Sequence, residues 1–276
     1  MSMIAEQIGQ LARAALEQEA RLSPKPGLVD AENNGAHTDM DLDLLLKSAE
    51  TLEPYFARFA AQGMADAAFS PDGRLSAIRA EGRKAERAML IATNSINTHK
   101  GALFLLGVLC YAAGYSAANG TLLAPQTVCS TAARVCSGIT QELGETAGRA
   151  YARYGARGAR GEAEEGFPHA LLAQITFEQA RTQGAEENDA WLLALLHLIE
   201  TMDDANVLAR CGKVTAQALR EKAGKIASRY PAGGTEMNTE IRALDRDCQA
   251  WRASPGGAAD VLACGMFLFA LTKHEA

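Results

Sequence analysis

Strand signals are almost absent from this chain of 276 residues. No window sustains the alternation of Val, Ile and Thr with polar residues that a half-buried strand needs. Asn119-Gly120, a pair that favours hairpin turns, lies between alanines and a Pro-containing loop, not between two alternating runs. Aromatic residues are scarce at 6%, which removes the stacking platforms used for single-stranded nucleic acids. Basic residues are not in excess either. The chain has 27 Lys and Arg against 33 Asp and Glu, a net charge of −6, so a surface that coats nucleic acid is excluded. The six cysteines form no CxxC pair, which argues against a zinc knuckle. Walker, GxGxxG, GxSxG and HExxH patterns are missing, and the chemistries they mark lose their usual support. The segment MSMIAEQIGQLARAALEQ carries acidic groups and no signal-peptide apolar region. The longest apolar run, Ala102 to Ala113, has 12 residues, short of the roughly 20 that span a bilayer. The expectation is a cytoplasmic protein with reduced cysteines, touching neither membrane nor nucleic acid.

What is present reads as helix. Hydrophobic residues make up 48% and charged residues 22%, enough apolar surface for a substantial core at this length. Ile4, Ile8, Leu11 and Ala15 fall on one helical face, as do Leu45, Ala49, Leu52 and Phe56, and Leu75, Ile78, Gly82, Ala85 and Met89. Asn97 to Gly114 and Asp189 to Met202 are apolar all round and predict buried helices, with Ala258 to Leu271 the last. Ser23 to Asp41, Tyr154 to His169 and Tyr230 to Thr239 are rich in Gly, Pro and polar residues and read as loops. No Gly/Ser or Pro linker divides the chain. The expected architecture is all-α, with residues 1–276 forming a single compact multi-helix domain.

Four polar clusters carry candidate chemistry. In the first, Pro24 and Pro26 hold Lys25 on a stiff extended segment. His37, Asp39 and Asp41 then gather where the next helix begins. One aspartate caps that helix, but a cap does not need all three residues, and carboxylates on a polar turn suit Mg²⁺ with substrate phosphates. In the second, Glu86 shares a helical face with Gly82, and Asn97, Thr98, His99, Lys100 and Gly101 lead into an apolar helix. Asn97 or Thr98 as a cap accounts for part of that run. A ligand accounts for the rest, with phosphate favoured at free N–H groups. In the third, Asp204, Asn206 and Arg210 lie on neighbouring turns and suit a metal–phosphate site. Asp203 reads as half of an intrahelical Asp–Arg pair and Cys211 as a packed small side chain. In the fourth, Ser254 caps a helix that starts at Pro255. Gly256 and Gly257 each cost about 1 kcal/mol relative to Ala in a first turn, which implies close approach by a ligand or another helix. Asp260 holds a metal or favours the helix dipole. His197, in a leucine-rich helix, reads as a satisfied core residue, and His169, after Phe167-Pro168, has no readable place.

These blocks, in this order, resemble the triphosphoribosyl-dephospho-CoA synthase family. The carriers are SPKPGLVD (Ser23 to Asp30) with GAHTDMD (Gly35 to Asp41), RxxGxxAExxM (Arg79 to Met89) with NTHKG (Asn97 to Gly101), DxNVLxR (Asp204 to Arg210) and SPGGAADVLA (Ser254 to Ala263); GFPH (Gly166 to His169) adds to them. The resemblance implies an enzyme that joins the triphosphoribosyl part of ATP to the ribose 2′-hydroxyl of 3′-dephospho-CoA and releases adenine. Its product would be the prosthetic-group precursor of the acyl carrier subunit of citrate lyase or malonate decarboxylase. By matching position it implies catalytic roles for Glu86 or His37 as general base. Nucleotide or phosphate contacts would come from Lys25, Asn97, His99, Lys100, Asn206, Arg210, Gly256 and Gly257, and Mg²⁺ would be held by Asp39, Asp204 and Asp260. ATP and 3′-dephospho-CoA would be the partners. A carrier-protein transferase would act downstream, and a homodimer is allowed.

The chain departs from the family pattern at Ala205, where Thr is usual, and at Cys211 and Ser95, where Gly is usual. Two other readings stay open at this stage. One is a Mg²⁺-dependent hydrolase of a nucleotide N-glycosidic or phosphate bond. The other is a non-catalytic nucleotide-binding paralogue. The glycines and arginines of Tyr154 to Glu165 read either as a lid or as a surface excursion.

Overall fold

The central element is the apolar stretch around residue 110, which has no polar face to offer to water. A computed structural model describes residues 2–142 and 155–274 of the chain. In it α4 (Lys100–Ala118) is buried on almost every side, from Ala102 to Gly114 and again at Ser116. It packs on α2 (Leu42–Ala65), on α5 (Pro125–Val135) and on the last helix. Outside this layer, α1 (Met3–Arg21) lays Ala5, Ile8, Ala12, Ala15 and Leu16 against α2. The helix α3 (Ser76–Ala92) buries only Ile78, Ala85 and Met89, which leaves its arginines and glutamates free to face other things. After a 3-10 turn at Ile139–Gln141 come α6 (Gly158–Glu164), α7 (Pro168–Thr182), α8 (Glu187–Thr201), α9 (Ala205–Arg229), α10 (Thr235–Trp251) and α11 (Gly256–His274). Among the described residues there is no strand.

Local chemistry sets where these helices begin. Asp41 caps α2 by accepting the Leu44 N–H at 2.9 Å. Pro125 and Pro168 occupy first turns, where a missing N–H costs nothing. The α2–α4 contact rests on two glycines. A Cβ on Gly63 would fall 2.0 Å from the Tyr111 carbonyl oxygen, and one on Gly114 would fall 2.1 Å from that of Ala60. The backbones therefore touch, and Tyr111 donates a buried hydrogen bond to Asp66 at 2.8 Å beside the contact. The same apolar core continues between α7, α8 and α11. There Phe177 and Trp191 stack with centroids 3.9 Å apart, and Phe269 meets Phe177 edge-on at 4.8 Å.

Several expectations change. Residues 158–164 of the expected second loop form α6, and Tyr154 lies outside the described residues. The third loop is shorter than expected because α10 already starts at Thr235. His197 is not a core residue: its side chain is 38% exposed and lies 3.3 Å from Glu200, one turn on. By length and composition α4 and α11 are both long and apolar enough to cross a membrane, which a 12-residue run does not convey. In this fold they are core helices, with 72% and 56% of those apolar windows buried.

Candidate active site

A cavity of about 1190 Å³ opens where the N-termini of α4, α9 and α11 meet the 23–41 loop, α3 and α6. Its lining contains every residue to which the family resemblance gave a site role: Lys25, His37, Asp39, Glu86, Asn97, His99, Lys100, Asp204, Asn206, Arg210, Gly256, Gly257 and Asp260. Glu86 also shares the cavity with Gly82, where an added Cβ would meet only open space.

Asp204 ties two helix starts together. Its Oδ1 accepts the N–H groups of Asn206 (2.8 Å) and Val207 (3.2 Å) at the head of α9. Its Oδ2 accepts the Ala258 N–H at 3.1 Å, and the Gly257 N–H donates to the same carboxylate from the head of α11. A carboxylate has about four lone-pair sites, so these donors fill it. With those sites occupied, Asp204 positions the two helix starts. Gly256 and Gly257 adjoin it on the cavity wall. A Cβ on Gly257 would lie 2.9 Å from Asp204 Oδ2, and one on Gly256 would lie 3.2 Å from Asn206 Nδ2. These glycines admit the neighbouring chain segment, the close approach by another element that was the alternative to a ligand.

Asp260, one turn further along α11, reaches across to α4. A Cβ on Gly101 would sit 2.0 Å from its Oδ2, and the Ala102 N–H donates to it. Burial, followed by the nearby charges of Glu19 and Asp204, holds its carboxyl well above the usual carboxylate range. Lys25 is 1% exposed. Its Nζ lies 2.7 Å from Glu19 Oε1 and 2.6 Å from the Glu19 carbonyl oxygen, so one of its three donors remains for a ligand. Asp39 is exposed, 3.6 Å from His37 Nδ1. Among the described residues no group of three or more His, Cys, Asp or Glu is arranged to hold a metal ion. Of the three expected ligands, Asp260 and Asp39 keep lone pairs to offer.

The remaining polar groups form pairs across the cavity. Ser254 does not cap α11; its hydroxyl lies 2.8 Å from His37 Nε2. Burial and the Arg210 guanidinium push the His37 pKa down. His99 is buried with Nδ1 2.9 Å from Ser48 Oγ, which also accepts from Thr98 at 2.8 Å. Burial and the charge of Lys25 push His99 down to about 4. Asn97 accepts the Lys100 N–H at 3.2 Å but is not the cap of α4: His99 precedes the helix, and its side chain makes no capping hydrogen bond. Lys100 Nζ sits 2.6 Å from Glu86 Oε1 and so bridges α4 to α3. Asp203 pairs with Arg220 at 2.6 Å; it precedes α9, and its partner lies beyond the kink at Gly212. Cys211 packs its sulfur 3.4 Å from the Trp251 carbonyl oxygen, and burial pushes its thiol up, as befits a packed side chain.

Sequence reasoning missed a pair on the same cavity. Glu162 of α6 is buried, and its Oε2 lies 2.7 Å from His169 Nδ1. Both residues line the cavity, as do Arg157 and Arg160. The signal for it was Pro168 in a helical first turn. That places His169 at a helix start, where a buried acid can accept its N–H.

The sequence matches the model of the ATP:dephospho-CoA triphosphoribosyl transferase family over residues 5–276. The chain belongs to this family. It is 38% identical to the 2-(5″-triphosphoribosyl)-3′-dephosphocoenzyme-A synthase of Haemophilus ducreyi, a match covering 96% of this chain and 88% of that one. A synthase of the same name from Klebsiella pneumoniae is 38% identical over 96% of this chain and 91% of its own. One from Pectobacterium atrosepticum is 37% identical over 95% and 88%. Ser95 has φ of 68°, in the left-handed region that glycine favours. Ala205 lines the cavity, whereas Cys211 and Ser95 do not.

Proposed function

We propose that this enzyme transfers the 5-triphosphoribosyl group of ATP to the ribose 2′-hydroxyl of 3′-dephospho-CoA with release of adenine. One observation carries the reading. The family match spans residues 5–276, and the motif residues within it converge on one cavity. Its volume of about 1190 Å³ exceeds the roughly 300–1,000 Å³ of a pocket for one drug-sized ligand and suits two nucleotides.

Substitution at the anomeric carbon passes through an oxocarbenium-like state and needs a group to take the 2′-hydroxyl proton. Two candidates were open, Glu86 and His37. Glu86 is engaged by Lys100 at 2.6 Å, whereas His37 is held neutral by burial and Arg210, so His37 is the better acceptor. Arg210 has no ion-pair partner among the described residues and is assigned to the triphosphate. Lys100 joins it with the donors that Glu86 leaves unused, and Lys25 offers its remaining donor. Asn97, Asn206 and neutral His99 position ribose and phosphate oxygens. Mg²⁺ fits the hard oxygen donors of Asp260 and Asp39, since it binds through one or two carboxylates plus substrate phosphates. When bound it would neutralise triphosphate charge. On this reading the product passes to a carrier-protein transferase in the cytoplasm.

The test is adenine release from ATP with Mg²⁺, with and without 3′-dephospho-CoA. Release that depends on the acceptor, with a product mass equal to the joined nucleotides, is expected. Acceptor-independent release would replace transfer by hydrolysis. ATP binding without any release would leave a non-catalytic binder.

A further inference from the structure

The proton balance of this reaction has a gap. The 2′-hydroxyl loses its proton to His37 as the O2′–C1′ bond forms. The C1′–N9 bond breaks with its electron pair going to adenine, which leaves well only if a proton reaches a ring nitrogen. We propose that His169, held by the buried Glu162, is the general acid that gives that proton to the departing adenine. The inference rests on the transferase reading above.

The geometry is that of an oriented acid. Glu162 is 5% exposed, and its Oε1 is fixed by the N–H groups of His169 (2.9 Å) and Ala170 (3.1 Å) at the head of α7. Its Oε2 takes the Nδ1–H of His169 at 2.7 Å. That bond sets the ring's tautomer and turn, and it leaves Nε2 on the opposite side. His169 is half-buried and lines the cavity, and among the described residues its Nε2 has no hydrogen-bond partner. The titratable groups facing it are Glu162 and Glu165 on α6 and Asp203 ahead of α9. All three raise its pKa against the effect of burial, with the Glu162 hydrogen bond the largest cause. That direction favours the protonated imidazole, the form a general acid needs. Its Nε2 proton passes to adenine N7 or N3, adenine departs neutral, and solvent returns the proton to the ring.

The experiment compares ATP with N7-methyl-ATP in the presence of 3′-dephospho-CoA. The methylated purine already carries a positive charge and leaves as neutral 7-methyladenine with no proton supplied. His169→Asn should lower kcat for ATP by about 10²- to 10³-fold, as loss of a general acid does, with KM changed only a few-fold. It should remove the alkaline limb of the kcat profile, and it should lower kcat for N7-methyl-ATP less than about fivefold. Glu162→Gln should keep that limb and move it to lower pH. Equal losses on the two substrates, or a loss confined to KM, would overturn the proposal and make His169 a phosphate contact. Should His169→Asn fail to fold, as judged by its unfolding midpoint, His169→Gln carries the same comparison. A wild-type protein that releases no adenine from ATP with this acceptor overturns the transferase reading itself, and that outcome is distinct from a substrate-independent defect.

Discussion

At the scale of the residue, the site is governed by carboxylates and histidines whose partners lie far away in sequence. Asp204 is the clearest case, because it accepts four backbone N–H groups from two helices. Each lost cap is worth about 1 kcal/mol, and buried orphan donors add to that. Asp204→Ala should therefore cost about 2–4 kcal/mol in urea unfolding. Asp204→Asn, which keeps one acceptor oxygen, should cost roughly half as much. A loss of activity with no loss of stability in either variant would restore Asp204 as a ligand. His99 gives a pH-dependent effect. Its folded pKa of about 4 lies below the ordinary 6.5, so the unfolded chain binds its proton first. The stability it contributes is complete above about pH 6.5 and is lost as pH falls through 4. Between pH 7 and pH 5 the wild type should lose about 2 kcal/mol that His99→Gln does not lose. The raised pKa of His169 acts in the opposite sense but is common to both proteins and cancels. A gap between the two unfolding free energies that does not change with pH would refute the assignment. The sequence pointed to most of these cavity residues, but it gave Glu19 and Glu162 no role and His169 no place. It did not say what each one touches. Ser254 reads as a cap and instead meets His37, and Asp204, expected as a ligand, caps two helix starts. Local pattern predicts a capping chemistry well, but it cannot tell which helix end the third dimension brings to the carboxylate.

At the scale of the element, the same glycine-to-alanine change should have opposite signs on two helices. In α4, a Cβ on Gly114 would meet the Ala60 carbonyl oxygen at 2.1 Å, and backbone cannot step aside as a side chain can. Gly114→Ala should cost about 1–3 kcal/mol through overpacking. In α3, a Cβ on Gly82 meets nothing within 4 Å, so Gly82→Ala should stabilise by up to about 1 kcal/mol on helix propensity alone. Gly82 also borders the cavity, and KM for ATP should rise if a nucleotide lies against it. Thermal unfolding of the two variants checks the signs; destabilisation by both would mean that α3 is not packed as described. The helices themselves were legible because apolar spacing survives any tertiary arrangement. The start of α4 and the extent of α10 were less so. The run from Asn97 reads as one helix, yet Thr98 and His99 turn aside to Ser48 and the helix begins only at Lys100. α6 was hidden by the glycines at 158 and 161, which lower helix propensity and read as loop. Tertiary packing overrides that tendency, burying Gly161, Glu162 and Ala163.

At the scale of the whole molecule, the cavity exists only when distant parts of the chain are in place together. It takes walls from the 23–41 loop, from α3 and α4, from α6, and from the heads of α9 and α11. One apolar cluster runs through the same elements, from Ala5 and Ile8 in α1 to Phe267 and Leu271 in α11. We propose on this basis that the chain folds as a single unit. Calorimetry should then show one transition whose van't Hoff and calorimetric enthalpies agree. ATP binds the assembled cavity and not the unfolded chain, so at a hundred times its Kd it should add about 2.7 kcal/mol. For a protein of this size, that moves Tm by about 5–10 °C. Because every wall belongs to the same cooperative unit, the whole transition should move together. Two transitions, of which ATP shifts only one, would mean that the cavity belongs to a part of the chain that folds apart from the rest. A single transition that ATP does not move, measured under conditions where adenine is released, would place the nucleotide somewhere other than this cavity.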